Sequence, residues 1–422
     1  MLERYFLRPA TVDQVRASWI AEPIEQYVAW LTERGYGARN VHSRVPILRH
    51  FGDFARDHGA TTWAELPAHV TSFIEAWLRD REGKRADPEG HRRFANEIRG
   101  PIEQMLRVVV PSFTGSGRPR RTQEPFATQA PGFFASLRQE RGLRDETVLH
   151  YRHHLIRFEE YLHRIGLTDL SALSPAVLGA FVVERSRTLG RTSVRDLCGV
   201  LRVFLRYLHR ERLVRKDLTA AVESPQAYRL ATLPRSIPWD AVRRMLETVD
   251  RRTAVGRRDY AILLLLVTYG LRAREVAALT LDDIDWKRDR LRIPERKAGH
   301  STAYPLSPTV GQALLAYLQD GRPLTTGRQV FFRVLAPPTP LTTAAVSSRA
   351  SAYLHRAGID APRLGSHTLR HTCVQRLVDA EVPFKMIGDY VGHRAPESTE
   401  IYTKVAVDAL REVALGDGEA IL

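Results

Sequence analysis

The sequence predicts a mainly α-helical protein with one small β-sheet near its C-terminal end. Apolar residues recur at helical spacing over residues 24–111 and again over residues 133–228. Further along the chain, residues 290–294 and 302–306 instead alternate between apolar and polar side chains, which is typical of short strands. We therefore expect two helical modules followed by a mixed α+β domain.

The two helical segments repeat each other at an offset of 107 residues. Turn and core positions align without gaps, in the pairs Gly35 and Gly142, Val41 and Val148, Leu48 and Leu155, Phe51 and Phe158, Gly59 and Gly166, Leu66 and Leu173, and Val70 and Val177. The last helix of each segment aligns at an offset of 99, where Ile102 meets Leu201. This agreement indicates two copies of one helical module. A chance likeness between two amphipathic segments is the alternative.

Two stretches have the composition of linkers. Residues 113–132 are rich in Gly, Pro, Ser and Thr, and residues 229–238 contain two prolines that interrupt any helix. The expected domains are therefore residues 1–112, 133–228 and 239–422, the last with a C-terminal tail. Within the third domain, residues 260–267 are apolar on every face, which predicts a buried central helix.

Composition restricts which binding partners and which cellular location are expected for this protein. The formal net charge is +15, with 63 basic and 48 acidic residues, which favours a polyanionic partner such as nucleic acid over a merely basic soluble protein. Cys198 and Cys373 lack metal-ligand spacing and are expected to be reduced core residues. The longest apolar run is much shorter than the ~20 residues of a membrane span. We expect a cytoplasmic protein associated with the nucleoid, without a membrane partner.

A histidine, an arginine and a tyrosine recur with suggestive spacing near the C-terminal end. His367 and Arg370 are three residues apart at the start of a predicted helix, so their side chains share one face. A second helix is predicted to end at Gly392, and His393 and Tyr402 follow it. A guanidinium matches two phosphate oxygens, an imidazole moves a proton near neutral pH, and a deprotonated tyrosine is a nucleophile. Together these residue types indicate phosphate chemistry.

These motifs resemble a known family. His367-x-x-Arg370, Gly392-His393 and Tyr402 are similar to the C-terminal signature of the tyrosine recombinase (phage integrase) family. Upstream, residues 268–275 (TYGLRARE) resemble the first-arginine box of that family. The resemblance covers residues 234–413 and implies an enzyme, a DNA strand transferase, with a helical DNA-binding domain before its catalytic domain. With the repeat, we expect two N-terminal helical DNA-binding modules.

The resemblance also implies a role for each matching residue. Arg272 and Arg370 would clamp the scissile phosphate. Independently of the resemblance, Glu275 lies three residues after Arg272, a helical spacing at which a carboxylate can hold a guanidinium; an ordinary surface ion pair is the alternative. His367 would accept the tyrosine proton or hold the phosphate, and His393 would donate a hydrogen bond to a non-bridging oxygen. Tyr402 would be the nucleophile that forms a 3′-phosphotyrosyl bond.

Two of these assignments have rivals within the sequence. Lys297 lies in the turn between the two predicted strands, where the family carries its general acid, but the surrounding pattern is degenerate. Lys287 is the weaker alternative, and Arg296 could assist Lys297. Tyr390 is a second tyrosine near the motif, and its place in an apolar helical stripe predicts a packing role.

The implied partners are double-stranded DNA recombination sites and other protomers. A homotetramer would exchange strands through a Holliday junction, without metal or cofactor, for a mobile genetic element; other recombinases or accessory proteins are open candidates. The segment 133–228 resembles the family's core-binding domain, and its last helix carries the expected DNA-binding residues Arg195, Arg202, Arg206 and Arg210. The first copy could be a SAM-like arm-binding domain, an extra core-binding domain or a protomer contact.

Two other functions remain open from the sequence. A type IB topoisomerase-like strand transferase would share the chemistry but would act as a monomer without a specific site. A DNA-binding regulator could have kept the fold without catalysis. The complete set of six catalytic residue types favours the recombinase over both.

Overall fold

The computed structural model describes residues 2–79, 88–115, 123–226, 236–294, 301–360 and 364–392. Helices dominate these ranges, as predicted, and they enclose three large hydrophobic cores and a small cluster of Val374, Ile387 and Val391. By contact density, Gly117–Ala231 form one compact unit, and Met1–Ser116 with Thr232–Leu422 form the other. No helix within the described ranges is long and apolar enough to cross a membrane.

The N-terminal segment folds around the first core. Its helices are α1 (Pro9–Arg16), α2 (Ala21–Glu33), α3 (Ala38–Asp57), α4 (Val70–Arg79) and α5 (Pro88–Val109). A 3₁₀ helix, Trp63–His69, separates α3 from α4 at the Leu66-Pro67 break that the sequence predicts. Glu65 caps this turn, because its Oε2 accepts from the backbone N–H of Thr61 at 2.7 Å and of Thr62 at 3.2 Å.

The unit Gly117–Ala231 repeats this arrangement around a core of its own. Its helices are α6 (Phe133–Gln139), α7 (Asp145–Arg164), α8 (Pro175–Ser186) and α9 (Arg191–Arg210). Helices α3 and α7 are both 20 residues long and begin 107 residues apart, and the paired residues Phe51 and Phe158 are both 0% exposed. The glycines that precede them, Gly35 and Gly142, both have positive φ, at 72° and 58°. The structure therefore confirms the internal repeat.

The linker predicted over residues 113–132 is too long. Phe126 and Ala130 are only 1% and 3% exposed and belong to the core of the second module. The backbone N–H of Phe126 also donates to Oε1 of the buried Glu159 at 2.7 Å. The prediction erred because these two apolar residues lie in a turn-rich stretch without helical periodicity, although both are buried.

The C-terminal segment consists of seven helices in the described ranges and one small sheet. The helices are α10 (Trp239–Glu247), α11 (Ala254–Thr268), α12 (Ala273–Ala278), α13 (Pro308–Asp320), α14 (Thr343–Arg356), α15 (Ser366–Asp379) and α16 (Phe384–Val391). Helix α11 is buried at every position from 261 to 267, as its all-apolar sequence predicts, and it packs against α13 and α15. The chain enters this segment at Ile237, whose N–H donates to Thr372 Oγ1 on α15 at 3.0 Å.

The sheet has three short antiparallel strands in the order β1 (Ile284–Asp285), β2 (Arg290–Ile293) and β3 (Thr302–Pro305). Leu291 pairs with Tyr304, and Ile293 pairs with Thr302 at the end where the connection between β2 and β3 begins. Leu291 and Tyr304 both point into the core, at 0% and 3% exposure. The two predicted strands are confirmed, and β1 is an addition that the sequence analysis did not predict.

Candidate active site

Arg272 is positioned by the turn that ends α11. Gly270 adopts a left-handed conformation with φ 59°, and a β-carbon there would lie 3.1 Å from Val391 Cγ1 and 3.2 Å from Cys373 Sγ. Glycine is therefore required for its backbone conformation, and the space beside it is tight. The turn places Arg272 in an extended conformation at the N-cap of α12.

Glu275 holds Arg272 from one turn further along α12. Its Oε2 accepts from the Arg272 backbone N–H at 2.8 Å, and its Oε1 pairs with Nη1 of the guanidinium at 2.9 Å. The Glu275 side chain is only 3% exposed and that of Arg272 is 19% exposed, so the ion pair is shielded from solvent. This geometry agrees with the supporting role expected for Glu275.

Arg370 lies on α15 and is 5% exposed. Its Nη1 donates to the carbonyl oxygen of Gly270, and its Nη2 donates to that of Val391 at 2.7 Å. Arg272 Nη2 donates to the next carbonyl, that of Gly392, at 2.8 Å. Both guanidinium groups therefore meet at the C-terminus of α16, where unpaired carbonyls and the helix dipole favour positive charge.

His367 begins the same helix as Arg370, one turn earlier. The residue is exposed at the surface, yet partial burial of the imidazole lowers its pKa, and the positive charges of Arg370 and then Arg272 lower it further. The imidazole is therefore neutral at neutral pH and able to accept a proton. Both arginines are therefore near enough to the imidazole to influence its pKa.

The structure thus brings together Arg272, Glu275, His367 and Arg370 around the end of α16. Gly392 ends this helix in a left-handed conformation with φ 67° and ψ 53°, as the sequence predicts. Lys297, His393 and Tyr402 lie outside the described residues, so their roles stay predictions. His393 directly follows Gly392 in the sequence.

The two rival residues lie in other surroundings. Lys287 is exposed in the turn between β1 and β2, at the opposite end of β2 from the pair Ile293 and Thr302. Tyr390 is half-buried on α16, and its hydroxyl donates to the Thr268 carbonyl oxygen at 3.1 Å. The packing role predicted for Tyr390 is confirmed.

Two further tyrosines near the cluster escaped the sequence analysis. Tyr269 and Tyr304 are 2% and 3% exposed, and each hydroxyl is hydrogen bonded to the backbone of another element. The available signal was weak: an aromatic residue directly after an apolar helix, and another on a short strand. Neither position indicates chemistry without knowledge of the tertiary contacts.

The candidate DNA-binding arginines on α9 divide into two pairs. Arg195 and Arg206 are exposed. Arg202 Nη2 donates to the carbonyl oxygen of Val222 at 2.6 Å, and Arg210 Nη1 pairs with Glu140 at 2.5 Å. Arg210 is also exposed, so its pairing with Glu140 leaves it at the surface. DNA binding by all four arginines stays a prediction.

The two helical modules differ in charge although they share a fold. Residues 1–115 contain 16 basic and 15 acidic residues, whereas residues 123–226 contain 16 basic and 12 acidic residues. The first module is nearly neutral and the second carries a clear positive excess. This difference favours the second module as the one that contacts a polyanion.

Comparison with known proteins identifies the family. A protein of Sinorhizobium fredii (strain NBRC 101917 / NGR234) named as an integrase/recombinase, y4rA, is 30% identical over 94% of this chain and 94% of its own length. This chain belongs to the phage integrase family of tyrosine recombinases. The model of the phage integrase family matches residues 235–408 of this tyrosine recombinase, and the phage integrase N-terminal SAM-like domain matches residues 131–212. The resemblance seen in the sequence motifs is confirmed.

Other relatives agree with this assignment. The tyrosine recombinase XerD of Pseudomonas putida (strain KT2440) is 33% identical and covers 67% of this chain and 94% of its own length. Among solved structures, the XerH recombinase in a post-cleavage complex with palindromic difH substrate has a TM-score of 0.52 at 15% identity, covering 84% of this chain and 97% of that one. A lambda integrase dimer bound to a COC′ core site also has a TM-score of 0.52, at 17% identity over 75% of this chain and 90% of that one. This family member therefore has a tyrosine recombinase fold.

Proposed function

We propose that this protein cuts and rejoins DNA at specific sites through a covalent 3′-phosphotyrosyl intermediate. The observation that carries the proposal is the convergence of Arg272 and Arg370 on the end of α16, with His367 beside them. Two guanidinium groups provide several donors directed at one small region, which suits a phosphate that gains charge in its transition state. His393, the proposed third donor, directly follows Gly392 in the sequence.

The reaction assigns one task to each side chain. The hydroxyl oxygen of Tyr402 attacks the scissile phosphorus, and its proton passes to the neutral imidazole of His367. The bond between phosphorus and the 5′ oxygen breaks, and Lys297 donates a proton to that oxygen. Arg272, Arg370 and His393 stabilise the charge on the non-bridging oxygens. Because the phosphotyrosyl ester retains the bond energy, the reverse attack by a 5′ hydroxyl rejoins DNA without ATP.

The assembly follows from the same chemistry. Two DNA sites and four protomers exchange strands in pairs through a Holliday junction, for a mobile genetic element in the bacterial cytoplasm. Residues 133–228 contact the DNA chiefly through α9, where Arg195 and Arg206 are exposed. The named DNA substrates of the structurally similar recombinases support this assignment.

Covalent trapping tests the proposal. The full-length protein is incubated with nicked duplexes that carry the ends of its own genetic element, so that cleavage releases a short fragment and cannot be reversed. We expect a protein–DNA adduct on denaturing gels that Tyr402→Phe abolishes, while Tyr390→Phe, which lacks the rival hydroxyl, still forms it. An adduct that survives Tyr402→Phe would move the nucleophile elsewhere.

Two other outcomes would reject the recombinase. Specific binding in a gel-shift assay without any adduct would indicate a non-catalytic regulator. Relaxation of supercoiled plasmids without a specific site, by a monomer, would indicate a topoisomerase. Recombination between two marked sites on one plasmid, read from product size, is the result that the proposal requires.

A further inference from the structure

Three tyrosine hydroxyls, two on buried residues and one on the half-buried Tyr390, join three separate elements into a closed ring beside the arginine cluster. We call Tyr269, Tyr304 and Tyr390 the tyrosine triangle. The rings of Tyr269 and Tyr304 have centroids 5.0 Å apart and are tilted by 40°. The rings of Tyr304 and Tyr390 also have centroids 5.0 Å apart, in an edge-to-face arrangement. Each hydroxyl then connects one element to the next.

The first connection joins the end of α11 to β3. The Tyr269 hydroxyl donates to the carbonyl oxygen of Pro305 at 2.9 Å and accepts from the N–H of Ser307 at 2.9 Å. Burial raises the pKa of Tyr269, so this hydroxyl remains a donor throughout the working pH range. The end of β3 is thereby fixed to the residue that follows α11.

The other two connections close the ring. The Tyr304 hydroxyl on β3 donates to the backbone carbonyl of Tyr390 on α16. The Tyr390 hydroxyl donates to the carbonyl oxygen of Thr268, the last residue of α11, at 3.1 Å. A phenylalanine side chain would fill the same space and would need no hydrogen-bond partner. A buried tyrosine hydroxyl that lacks such a partner is unfavourable by ~1–3 kcal/mol. The three hydroxyls are therefore specific links between backbones.

Each corner of the triangle adjoins a residue with a task in the proposed reaction. Tyr269 comes three residues before Arg272, Tyr390 comes three residues before His393, and Tyr304 comes seven residues after Lys297 in the sequence, on β3. We propose that the tyrosine triangle positions these three catalytic segments relative to one another. This inference rests on the proposed strand-transfer function and adds three positioning residues to it.

The triangle predicts unequal effects when its links are cut singly. The end of α16 is also held by the hydrogen bonds from Arg272 and Arg370. The β2–β3 hairpin is held by strand pairing and by its buried core residues, and the Tyr269 and Tyr304 hydroxyls fix its β3 end to α11 and α16. Loss of the Tyr304 hydroxyl should therefore displace mainly the hairpin, and with it the general acid Lys297. Loss of the Tyr390 hydroxyl should instead disturb the segment that leads to His393.

A substrate with a sulfur leaving group separates these two effects. A 5′-bridging phosphorothiolate expels a thiolate, which departs without a proton from the general acid. On an ordinary nicked duplex we expect Tyr304→Phe to lower the single-turnover rate of adduct formation about 10- to 100-fold, the range for a misplaced catalytic group. On the phosphorothiolate duplex most of that loss should disappear, as it should for Lys297→Ala. Tyr390→Phe should still form the adduct, but more slowly and by the same factor on both substrates.

Tyr317→Phe is the matched control. Its buried hydroxyl accepts from the N–H of Phe332 at 3.1 Å, in the same domain but outside the triangle. We expect its rates on both substrates to match the wild type, and melting temperatures identify any variant that has lost its fold. A wild-type rate for Tyr304→Phe, or an equal loss on both substrates, would overturn the role of Tyr304. Absence of an adduct from the wild type on either substrate would instead overturn the proposed function.

Discussion

Arg272 donates a hydrogen bond from Nη2 to the carbonyl oxygen of Gly392 at 2.8 Å, although the two residues are 120 positions apart. Arg370 makes the equivalent bond to Val391 at 2.7 Å. The two arginines proposed to hold the phosphate therefore also hold the helix end that precedes His393. Phosphate binding and assembly of the site depend on the same side chains.

Arg370→Lys should separate charge from geometry. A lysine keeps the positive charge but cannot donate to Gly270 and Val391 together, since its ammonium lacks the planar fork. We expect adduct formation at least about 100-fold slower, comparable to loss of one oxyanion donor. Single-turnover assays on the nicked duplex measure this rate.

Arg376→Lys is the control for that variant. Arg376 lies on the same helix, exposed and stacked on the Trp239 ring with its guanidinium carbon 4.2 Å from the centroid. Its substitution should leave the cleavage rate close to that of the wild type. Equal rates for Arg370→Lys and the wild type would show that the fork has no part in catalysis.

Glu275→Gln should lower both stability and rate. The buried carboxylate holds the Arg272 guanidinium and backbone N–H, and a neutral amide retains only part of this interaction. A buried charged hydrogen bond lost on one side destabilises by about 1–3 kcal/mol. Calorimetry should show a lower melting transition for the catalytic domain, with slower adduct formation.

The exposed pair of Asp282 and Arg328 provides the comparison. Both side chains are more than half exposed, so the ion pair is screened by solvent. Asp282→Asn should leave the melting temperature and the cleavage rate nearly unchanged. If both carboxylate variants behaved alike, the supporting role of Glu275 would be excluded.

The rate of cleavage should depend on pH through His367. Its pKa lies below the ordinary value of 6.5, so the imidazole is already neutral at pH 7 and the rate should be flat there. The rate should fall only at lower pH, where protonation removes the acceptor for the tyrosine proton. His367→Gln should be slower and should lose this acid limb. If the fall in rate at low pH persisted unchanged in His367→Gln, a group other than His367 would be responsible for it.

The second module should lose stability in acid because of His154. Burial lowers the pKa of His154 to about 4, with further lowering by His150, His153 and Arg185, while Asp196 acts in the opposite direction. Between pH 6.5 and 4 the unfolded chain therefore binds more protons than the folded chain, so stability falls as pH falls. At about 1.4 kcal/mol per pKa unit the loss approaches about 3 kcal/mol near pH 4.

Hydrogen exchange of the α7 amides, corrected for intrinsic rates, measures this loss within the intact chain. His154→Leu should make the protection of these amides nearly independent of pH over that window. His163→Leu, at an exposed position on the same helix, should keep the dependence of the wild type. Identical pH dependence in both variants would exclude His154 as its source.

Local patterns predicted much of this fold. Helical periodicity and glycine positions revealed the repeated module, and the all-apolar stretch revealed α11. The i, i+3 spacing of Arg272 and Glu275 predicted their ion pair. Each of these features depends on residues that lie close together in the sequence, so the local sequence pattern is enough to predict it.

Contacts between distant segments could not be predicted in this way. The bonds from Arg370 to Gly270 and from Tyr390 to Thr268 end on backbone carbonyls, which every residue has. The burial of Phe126 and the pairing of Arg210 with Glu140 likewise depend on which helices meet. Such partners follow from tertiary packing and leave no periodic trace in the chain.

The unequal charge of the two modules predicts how salt should act on the proposed DNA binding. Affinity for DNA falls with salt in proportion to the number of phosphates that a protein neutralises, because bound cations are released. The nearly neutral first module and the more basic second module therefore contribute unequal shares of that dependence. Under the proposed DNA binding, the second module, in which the basic residues that attract the phosphates outnumber by four the acidic residues that repel them, should therefore supply the larger share of the salt dependence.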